Sequence, residues 1–479
     1  MRSAYGVESV RAAERAAMGR GPEGALMQRA AAGLAAECAR LLGKVYGARV
    51  TLLVGSGDNG GDALYAGARL ARRGAGVSAV LLAPERTHPG GLAALRAAGG
   101  AVVGADEDRA EGVVARARLV VDGIVGIGGR GGLRERAARL VGAVARDAVV
   151  VAVDLPSGVD ADTGEVRGEA VRADVTVTFG THKPGLLIDP GREYAGAVRL
   201  VDIGLELPAR ERAAEALQYV DVAGLLPRPS GESDKYRRGV VGVVAGSGRY
   251  PGAAVLCVAG ALRGGAGAVR YVGPAADAVL ARYPETLVSA GPPSKAGRVQ
   301  AWAVGPGLGD DGERLRDVIG ADVPLLIDAD GLRLAEEREV RARRAPTLLT
   351  PHAGEAAALL GVRREEVETA RLAAVRELAG RFGATVLLKG STTLVASAEG
   401  AVRVNPTGTP WLATAGSGDV LSGLAGSLLA AGLDARDAGS VGAYLHGLAA
   451  RHAANGAPVA AHDVAAAIPT AWRDVCRGD

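Results

Sequence analysis

Aromatic side chains are scarce in this 479-residue sequence, where Phe, Trp and Tyr together make up 3%. Its interiors must therefore be filled by Val, Leu, Ile and Ala, residues that suit short strands buried on both faces of a parallel sheet. Cysteine is nearly absent as well. Cys38, Cys257 and Cys476 stand far apart and form no Cys-x-x-Cys pair, which argues against a disulfide framework or a zinc site and fits a reducing compartment. Neither sign of charge dominates, since 56 Lys and Arg are interspersed with 53 Asp and Glu for a net +3. With no basic stripe and no interleaved aromatics, no nucleic-acid partner is expected. No run approaches the ~20 uninterrupted apolar residues of a membrane span. Met1 to Gly24 contain no apolar run of the signal-peptide kind. These absences lead to the expectation of a cytoplasmic chain with no membrane partner.

What is present is a length that exceeds one ordinary core and enough apolar residues, 48%, to fill two. Leu26, Met27, Ala30, Ala31, Leu34, Cys38, Leu41 and Leu42 recur at helical spacing. Short apolar runs follow at Arg49–Val54, Val77–Ala83, Leu119–Asp122, Val149–Asp154, Val175–Phe179 and Val198–Val201, most of them separated by helix-like segments. Strands alternating with helices predict an α/β fold, a Rossmann-like three-layer sandwich whose ligands sit at the carboxyl ends of the strands. The pattern lapses between Ala213 and Asp234, where Pro227, Pro229, Ser230 and Gly231 suggest a connector. A second alternating series starts at Gly239–Ala245 and runs through Val269–Val272, Ala301–Val304, Pro324–Asp328, Thr347–Thr350, Thr385–Leu388 and Thr393–Ala396. The expected division is a first domain over 1–218, a connector over 219–233 and a second domain over 234–479.

In the second series, Ala415-Gly416-Ser417-Gly418-Asp419 runs into the apolar stripe Val420, Leu421, Leu424 and Leu428. The glycines therefore open a helix, where free backbone N–H groups and the positive end of the dipole make an anion site. A carboxylate beside such a site is placed to take a proton from a hydroxyl that attacks a phosphoryl group. Three more motifs stand at strand ends: Gly305-Pro306-Gly307-Leu308-Gly309, Thr350-Pro351-His352-Ala353-Gly354-Glu355 and Lys389-Gly390-Ser391-Thr392-Thr393, with Asn405-Pro406-Thr407-Gly408-Thr409 close before Asp419.

With these motifs in this order, the chain from about Asp234 onward resembles the ribokinase-like fold and, within it, the nucleotide-dependent NAD(P)H-hydrate dehydratase family. The resemblance implies that Lys389, Gly390, Ser391, Thr392 and Thr393 contact the AMP portion of ADP or ATP and that Gly418 lies against the phosphates. It implies that Asp419 is the base at the C6 hydroxyl of a hydrated nicotinamide, with Ala254, Gly307 and His352 on the substrate side. A structural histidine is the plain alternative for His352. Mg²⁺ is expected with the nucleotide, because a transferring phosphate needs its charge neutralised.

In the first series, strand Arg49–Val54 runs into Gly55-Ser56-Gly57-Asp58-Asn59-Gly60-Gly61-Asp62 and then a helix, a phosphate-cradling arrangement. The acidic residue that a dinucleotide fingerprint needs at the end of the next strand is missing, because Val77–Ala83 ends in Ala83-Pro84. An ordinary NAD dehydrogenase is thereby disfavoured. Asn59-Gly60-Gly61-Asp62, Asp122-Gly123-Ile124-Val125-Gly126 and Asp154-Leu155-Pro156-Ser157-Gly158-Val159-Asp160 together resemble the NAD(P)H-hydrate epimerase family over roughly 1–215. The resemblance implies that Asp58, Asn59, Gly60, Gly61 and Asp62, the loop Gly126, Ile127, Gly128, Gly129, Arg130, Gly131 and Gly132, and Asp154 contact hydrated NADH or NADPH. Asn59, Asp122 and Ser157 are implied as oxygen ligands of a potassium ion, a donor set suited to a hard cation. Asp58 departs from the Asn usual there, and turn bracing is the plain alternative for Asp122 and Asp154.

Asp154 is the first candidate for acid/base work, and Lys183 is either an electrostatic helper or a solvated loop residue. The two families together imply one repair enzyme that interconverts R and S hydrates and dehydrates the S form, and they commonly form homo-oligomers. The alternative is a small-molecule kinase joined to a noncatalytic Rossmann-like module.

Overall fold

The computed structural model describes residues 1–478, which divide into two compact units. One spans Ser3–Ala213; the other runs from Ala214 onward and includes Met1–Arg2.

The first unit is built on a seven-stranded sheet in the spatial order Ala101–Gly104, Gly76–Leu81, Arg49–Val54, Leu119–Gly123, Val149–Val153, Val175–Phe179 and Ala197–Val201. Every pair in it is parallel. The central strands are short Val- and Leu-rich runs with no aromatic, and they are buried on both faces as such runs require. Val50, Leu52 and Val54 point into a cluster with Ala31, Leu34 and Cys38 from helix Ala25–Leu42 and Leu64 and Leu70 from helix Asp58–Arg72. Leu53 and Val120 pack with Val114 and Leu140 in a separate cluster. The chain steps outward in one direction from Arg49–Val54, then returns to start the other half at Leu119–Gly123. Loops on either side of this reversal diverge and leave a crevice at the carboxyl edge. Edge strand Ala101–Gly104 is too short and too glycine-rich to stand out in the sequence.

The second unit's sheet runs Arg212–Ala216, Val402–Asn405, Thr393–Ala396, Thr385–Leu388, Thr347–Leu349, Leu325–Ile327, Ala301–Val304, Val240–Val244, Ala268–Val272 and Leu287–Ser289. From Leu287–Ser289 to Thr385–Leu388 all pairs are parallel. The sheet then changes direction: Thr393–Ala396 is antiparallel to both its neighbours. That reversal brings Asn405 level with Thr393 and so back to the edge that carries the Lys389 turn.

Helix Ser417–Ala430 crosses helix Pro251–Arg263 at backbone contact. A Cβ on Gly423 would lie 1.8 Å from the Cys257 carbonyl oxygen, and one on Gly260 would lie 2.1 Å from that of Val420. The helix that presents Asp419 is therefore fixed by glycine-mediated packing, with Val420, Leu424 and Leu428 fully buried beneath it.

The stretch expected to be a connector is partly structured. Strand Arg212–Ala216 pairs with Val402–Asn405, and helix Tyr219–Leu225 buries Val222 in the second unit's core between Leu217 and Leu226. The boundary thus falls at Ala213/Ala214, not after 218. These two elements are only five and seven residues long, too short for a periodicity to show. None of the helices is long and apolar enough to cross a membrane among the described residues.

Candidate active sites

At the carboxyl edge of the first unit, Gly57 precedes helix Asp58–Arg72, so Asp58 to Asp62 form its first turn. Gly60 is required there, because a Cβ would stand 2.5 Å from the Gly55 carbonyl oxygen. Asn59 donates its amide nitrogen to the Val153 carbonyl, tying this turn to the strand that leads into Asp154. Asp122 is fully buried and accepts three hydrogen bonds, from Ser157 N at 2.8 Å, Ser157 Oγ at 2.6 Å and Ile124 N at 3.2 Å. Burial still wins over these three bonds, and its carboxyl is pushed up to about 6. Asp122 and Ser157 are therefore bonded to each other, while Gly126 lies against Asn59, since a Cβ on it would meet Asn59 Oδ1 at 2.3 Å. Ile127 to Gly131 line an open cleft of about 450 Å³ with Arg11, Asp162 and Arg167, whereas Gly132 packs under the Arg167–Glu169 backbone.

Asp154 does not end its strand, as the sequence suggested. The strand stops at Val153, and Asp154 turns into the left-handed region at φ 65°, a conformation that costs of order 1 kcal/mol or more and persists only where the surroundings impose it. One oxygen, Oδ1, takes hydrogen bonds from Thr178 Oγ1 at 3.0 Å, from Phe179 N at 3.1 Å and from the Lys183 ammonium. Lys183 is 1% exposed, so it is no solvated loop lysine. It also donates to Thr178 Oγ1 and the Phe179 carbonyl, both at 3.1 Å. Asp62 is likewise buried, yet among the described residues nothing donates a hydrogen bond to its Oδ1. Burial first, then the charges of Asp154, Asp58 and Glu14, push its carboxyl well above the usual range. Glu14, on helix Val7–Met18, is pushed up by burial and then by Asp154. Sequence reasoning missed Glu14, which belongs to no motif.

In the second unit, Gly416 takes φ 86° and turns the chain into helix Ser417–Ala430, placing Gly418 and Asp419 in its first turn. Lys389 projects from the neighbouring strand end to Asp328 Oδ1 at 2.7 Å and Glu355 Oε2 at 3.7 Å. Asp328 Oδ2 in turn accepts from Ser422 Oγ at 2.6 Å, one turn beyond Asp419. Burial first and the Asp328 charge second raise the Asp419 carboxyl, against the pull of Lys389, to about 7. A Cβ on Gly418 would come to 3.4 Å from Lys389 Nζ, so this glycine leaves the ammonium open to the helix N-terminus. His352 caps helix Ala353–Leu360: its Nδ1 accepts from Gly354 N at 3.0 Å and Glu355 N at 3.1 Å, while its imidazole stays largely exposed. The structural role and an accessible ring coexist in this residue.

The Lys389–Thr393 turn is held from behind by Arg371, which sequence reasoning missed. Its buried guanidinium donates to the carbonyls of Leu388, Lys389 and Thr392. Gly390 lets this guanidinium close on the turn, since a Cβ there would stand 2.4 Å from Arg371 Nη2. Thr392 is fully buried and Ser391 exposed, so the turn offers Ser391 and backbone outward. Gly307 takes φ 61° against Tyr250 and Ala253, and Ala254 is wholly buried beneath Gly246. Asp328, Ser422 and His446 also escaped notice. His446 is buried behind the helix start, where burial depresses it to about 4.

These two sets of strand-end loops define an enzyme with two α/β sites, the second one ribokinase-like. Residues 241–470 match a family described as NAD(P)H-hydrate dehydratase, and residues 23–185 one described as YjeF-related protein N-terminus. The bifunctional NAD(P)H-hydrate repair enzyme Nnr of Mycobacterium leprae is 50% identical over 461 residues, covering 94% of each chain. The protein of the same name from Thermofilum pendens is 37% identical, over 88% of this chain and 86% of its own. The crystal structure of the ADP/ATP-dependent NAD(P)H-hydrate dehydratase from Bacillus subtilis, co-crystallized with ATP/Mg²⁺, covers 54% of this chain and 97% of its own at 29% identity and a TM-score of 0.51. The chain belongs to the family of bifunctional NAD(P)H-hydrate repair enzymes.

Proposed function

We propose that the two units act in sequence on one damaged metabolite: the first interconverts the R and S hydrates of NADH and NADPH, and the second dehydrates the S form using ADP or ATP. The observation that carries the second step is the Asp419 carboxyl, held near neutrality at a helix N-terminus beside Lys389. A base titrating at about 7 is matched to removing a hydroxyl proton at physiological pH. Asp419 takes the C6 hydroxyl proton as that oxygen attacks the terminal phosphoryl group. Lys389 and the N–H groups of Gly418 and its neighbours hold the phosphates, and the Lys389–Thr393 turn holds the AMP portion. Departure of phosphate from C6 with loss of a C5 proton then restores the dihydronicotinamide ring.

Among the described residues no group of three or more His, Cys, Asp or Glu is arranged to hold a metal ion. Mg²⁺ bound with the nucleotide would neutralise phosphate charge. Recovery of reduced-nicotinamide absorbance from chemically hydrated NADH is expected with ADP or ATP and absent with neither. Recovery past the S fraction, to completion, requires the first unit. A preparation that restores no absorbance with either nucleotide ends this reading.

In the first unit, Asn59, Asp122 and Ser157 are the residues that would hold potassium. They fit a hard cation: the Asn59 nitrogen is committed to Val153, which leaves its oxygen, and the buried Asp122 carboxylate has no Lys or Arg partner among the described residues. A bound cation offsets the cost of that buried charge. Potassium is accordingly expected to raise the melting temperature relative to tetramethylammonium at equal ionic strength. At 100-fold over the dissociation constant the gain is about 2.7 kcal/mol. Because the Asp122 carboxyl lies at about 6, the gain shrinks as pH falls below that value and the carboxylate takes up a proton. A potassium effect equally large at pH 5 and pH 8 removes Asp122 from the site.

A further inference from the structure

Two buried carboxyl groups flank the first unit's site, and their surroundings are opposite. Asp154 is surrounded by donors: Lys183, Thr178 Oγ1 and the Phe179 N–H all converge on Oδ1. A carboxylate that accepts from an ammonium and two further donors is held ionised, and it has no proton to give. Asp62 is 6% exposed, and nothing in the described residues donates to its sealed Oδ1. Leaving an ionised carboxylate this buried with one oxygen unbonded is costly, which favours the protonated form.

The groups facing it from the packed elements push the same way. Glu14 comes from helix Val7–Met18, Asp58 from its own helix and Asp154 from the strand end, while Lys183, which with Arg11 acts on Glu14, is paired with Asp154. One carboxyl kept ionised and one kept neutral in a single site is how acid and base roles are divided.

We infer that Asp62 is the proton donor of the epimerase reaction, and that Asp154, held as a carboxylate by Lys183, faces the cation formed when the hydroxyl leaves. The inference rests on the epimerase reading of this site. Asp62 protonates the C6 hydroxyl; the C6–O bond breaks with its electron pair going to oxygen, and water departs. The N1 lone pair forms an N1=C6 double bond, leaving a positive charge that the Asp154 carboxylate faces. Water adds to the opposite face of C6 and loses a proton to solvent, and the Asp62 carboxylate takes up one from solvent, which restores the acid. One water leaves and one enters, so nothing is oxidised and no co-reactant is needed.

The test uses the full chain and purified R hydrate, with R and S forms separated chromatographically. Asp62→Asn keeps size and polarity but cannot donate a carboxyl proton, and it is expected to lower the epimerisation rate by about 100-fold or more. A rate within twofold of the parent overturns the inference. Two measurements on the parent chain need no variant. In H₂¹⁸O each newly formed S hydrate is expected to carry one solvent oxygen, beyond exchange in an enzyme-free control; retention of the original oxygen overturns C6–O cleavage. The rate is also expected to fall as pH rises and Asp62 loses its proton, and a rate that only rises with pH overturns the assignment. A parent chain that does not epimerise at all defeats the epimerase reading itself, a separate outcome from an active Asp62→Asn.

Discussion

Asp419→Asn is expected to slow nucleotide-driven dehydration of the S hydrate by about 10³-fold, roughly 4 kcal/mol of barrier, with little change in nucleotide affinity. The amide keeps the shape of the helix start and its helix remains pinned by Gly423 and Gly260 against the facing backbone. What disappears is the group that takes the proton. The parent enzyme carries its own check in the pH profile. Burial and the Asp328 charge raise Asp419 to about 7, so the single-turnover rate climbs through that value as the carboxylate forms and levels off above it.

Asp328→Asn removes the second of those causes and releases Lys389 from its 2.7 Å contact. Both changes favour the Asp419 carboxylate, so the rising limb moves to lower pH. An Asp419→Asn enzyme within tenfold of the parent, or a limb that Asp328→Asn leaves in place, removes Asp419 from the chemistry.

The carboxyl edges of both sheets are visible in the sequence for one physical reason. Short Val and Leu runs buried on both faces have few ways to pack, and each gives way to glycine, aspartate or asparagine where the chain must turn off the sheet. Gly60 and Gly416 sit where such turns forbid a Cβ or demand a positive φ. That logic reached Asp58 to Asp62, Asp122, Ser157, Lys389 and Asp419. It did not reach residues whose function is to hold others in place.

Arg371 opens helix Arg371–Phe382, and only the fold shows that its guanidinium faces three carbonyls of a turn some 17 to 21 positions later. Asp328 was visible only as the end of a strand, and Ser422 only as a polar gap in an apolar helix. Their shared contact spans 94 residues. Glu14 stands in a helix whose charged positions look solvated until the site carboxylates are seen beside it. The segment after Ala213 was illegible for a different reason: strand Arg212–Ala216 and helix Tyr219–Leu225 contribute only a few buried residues each, too few to produce a period.

Lys183→Met is expected to cost about 3–5 kcal/mol of stability and to reduce epimerisation by roughly 100-fold. The side chain is 1% exposed and its partner's is 9% exposed, so removing the ammonium strands the Asp154 carboxylate away from water. For a unit of this size that loss lowers the melting temperature by roughly 10 °C. Stability and activity part company in the double variant. Asp154→Asn combined with Lys183→Met removes the stranded charge while keeping an acceptor for Thr178 Oγ1 and the Phe179 N–H. It is expected to recover most of the lost melting temperature and none of the epimerisation, because the carboxylate that faces the developing cation is gone. Recovery of both would make the pair a packing device; recovery of stability alone makes Lys183 the residue that holds Asp154 in its ionised, left-handed pose for the reaction.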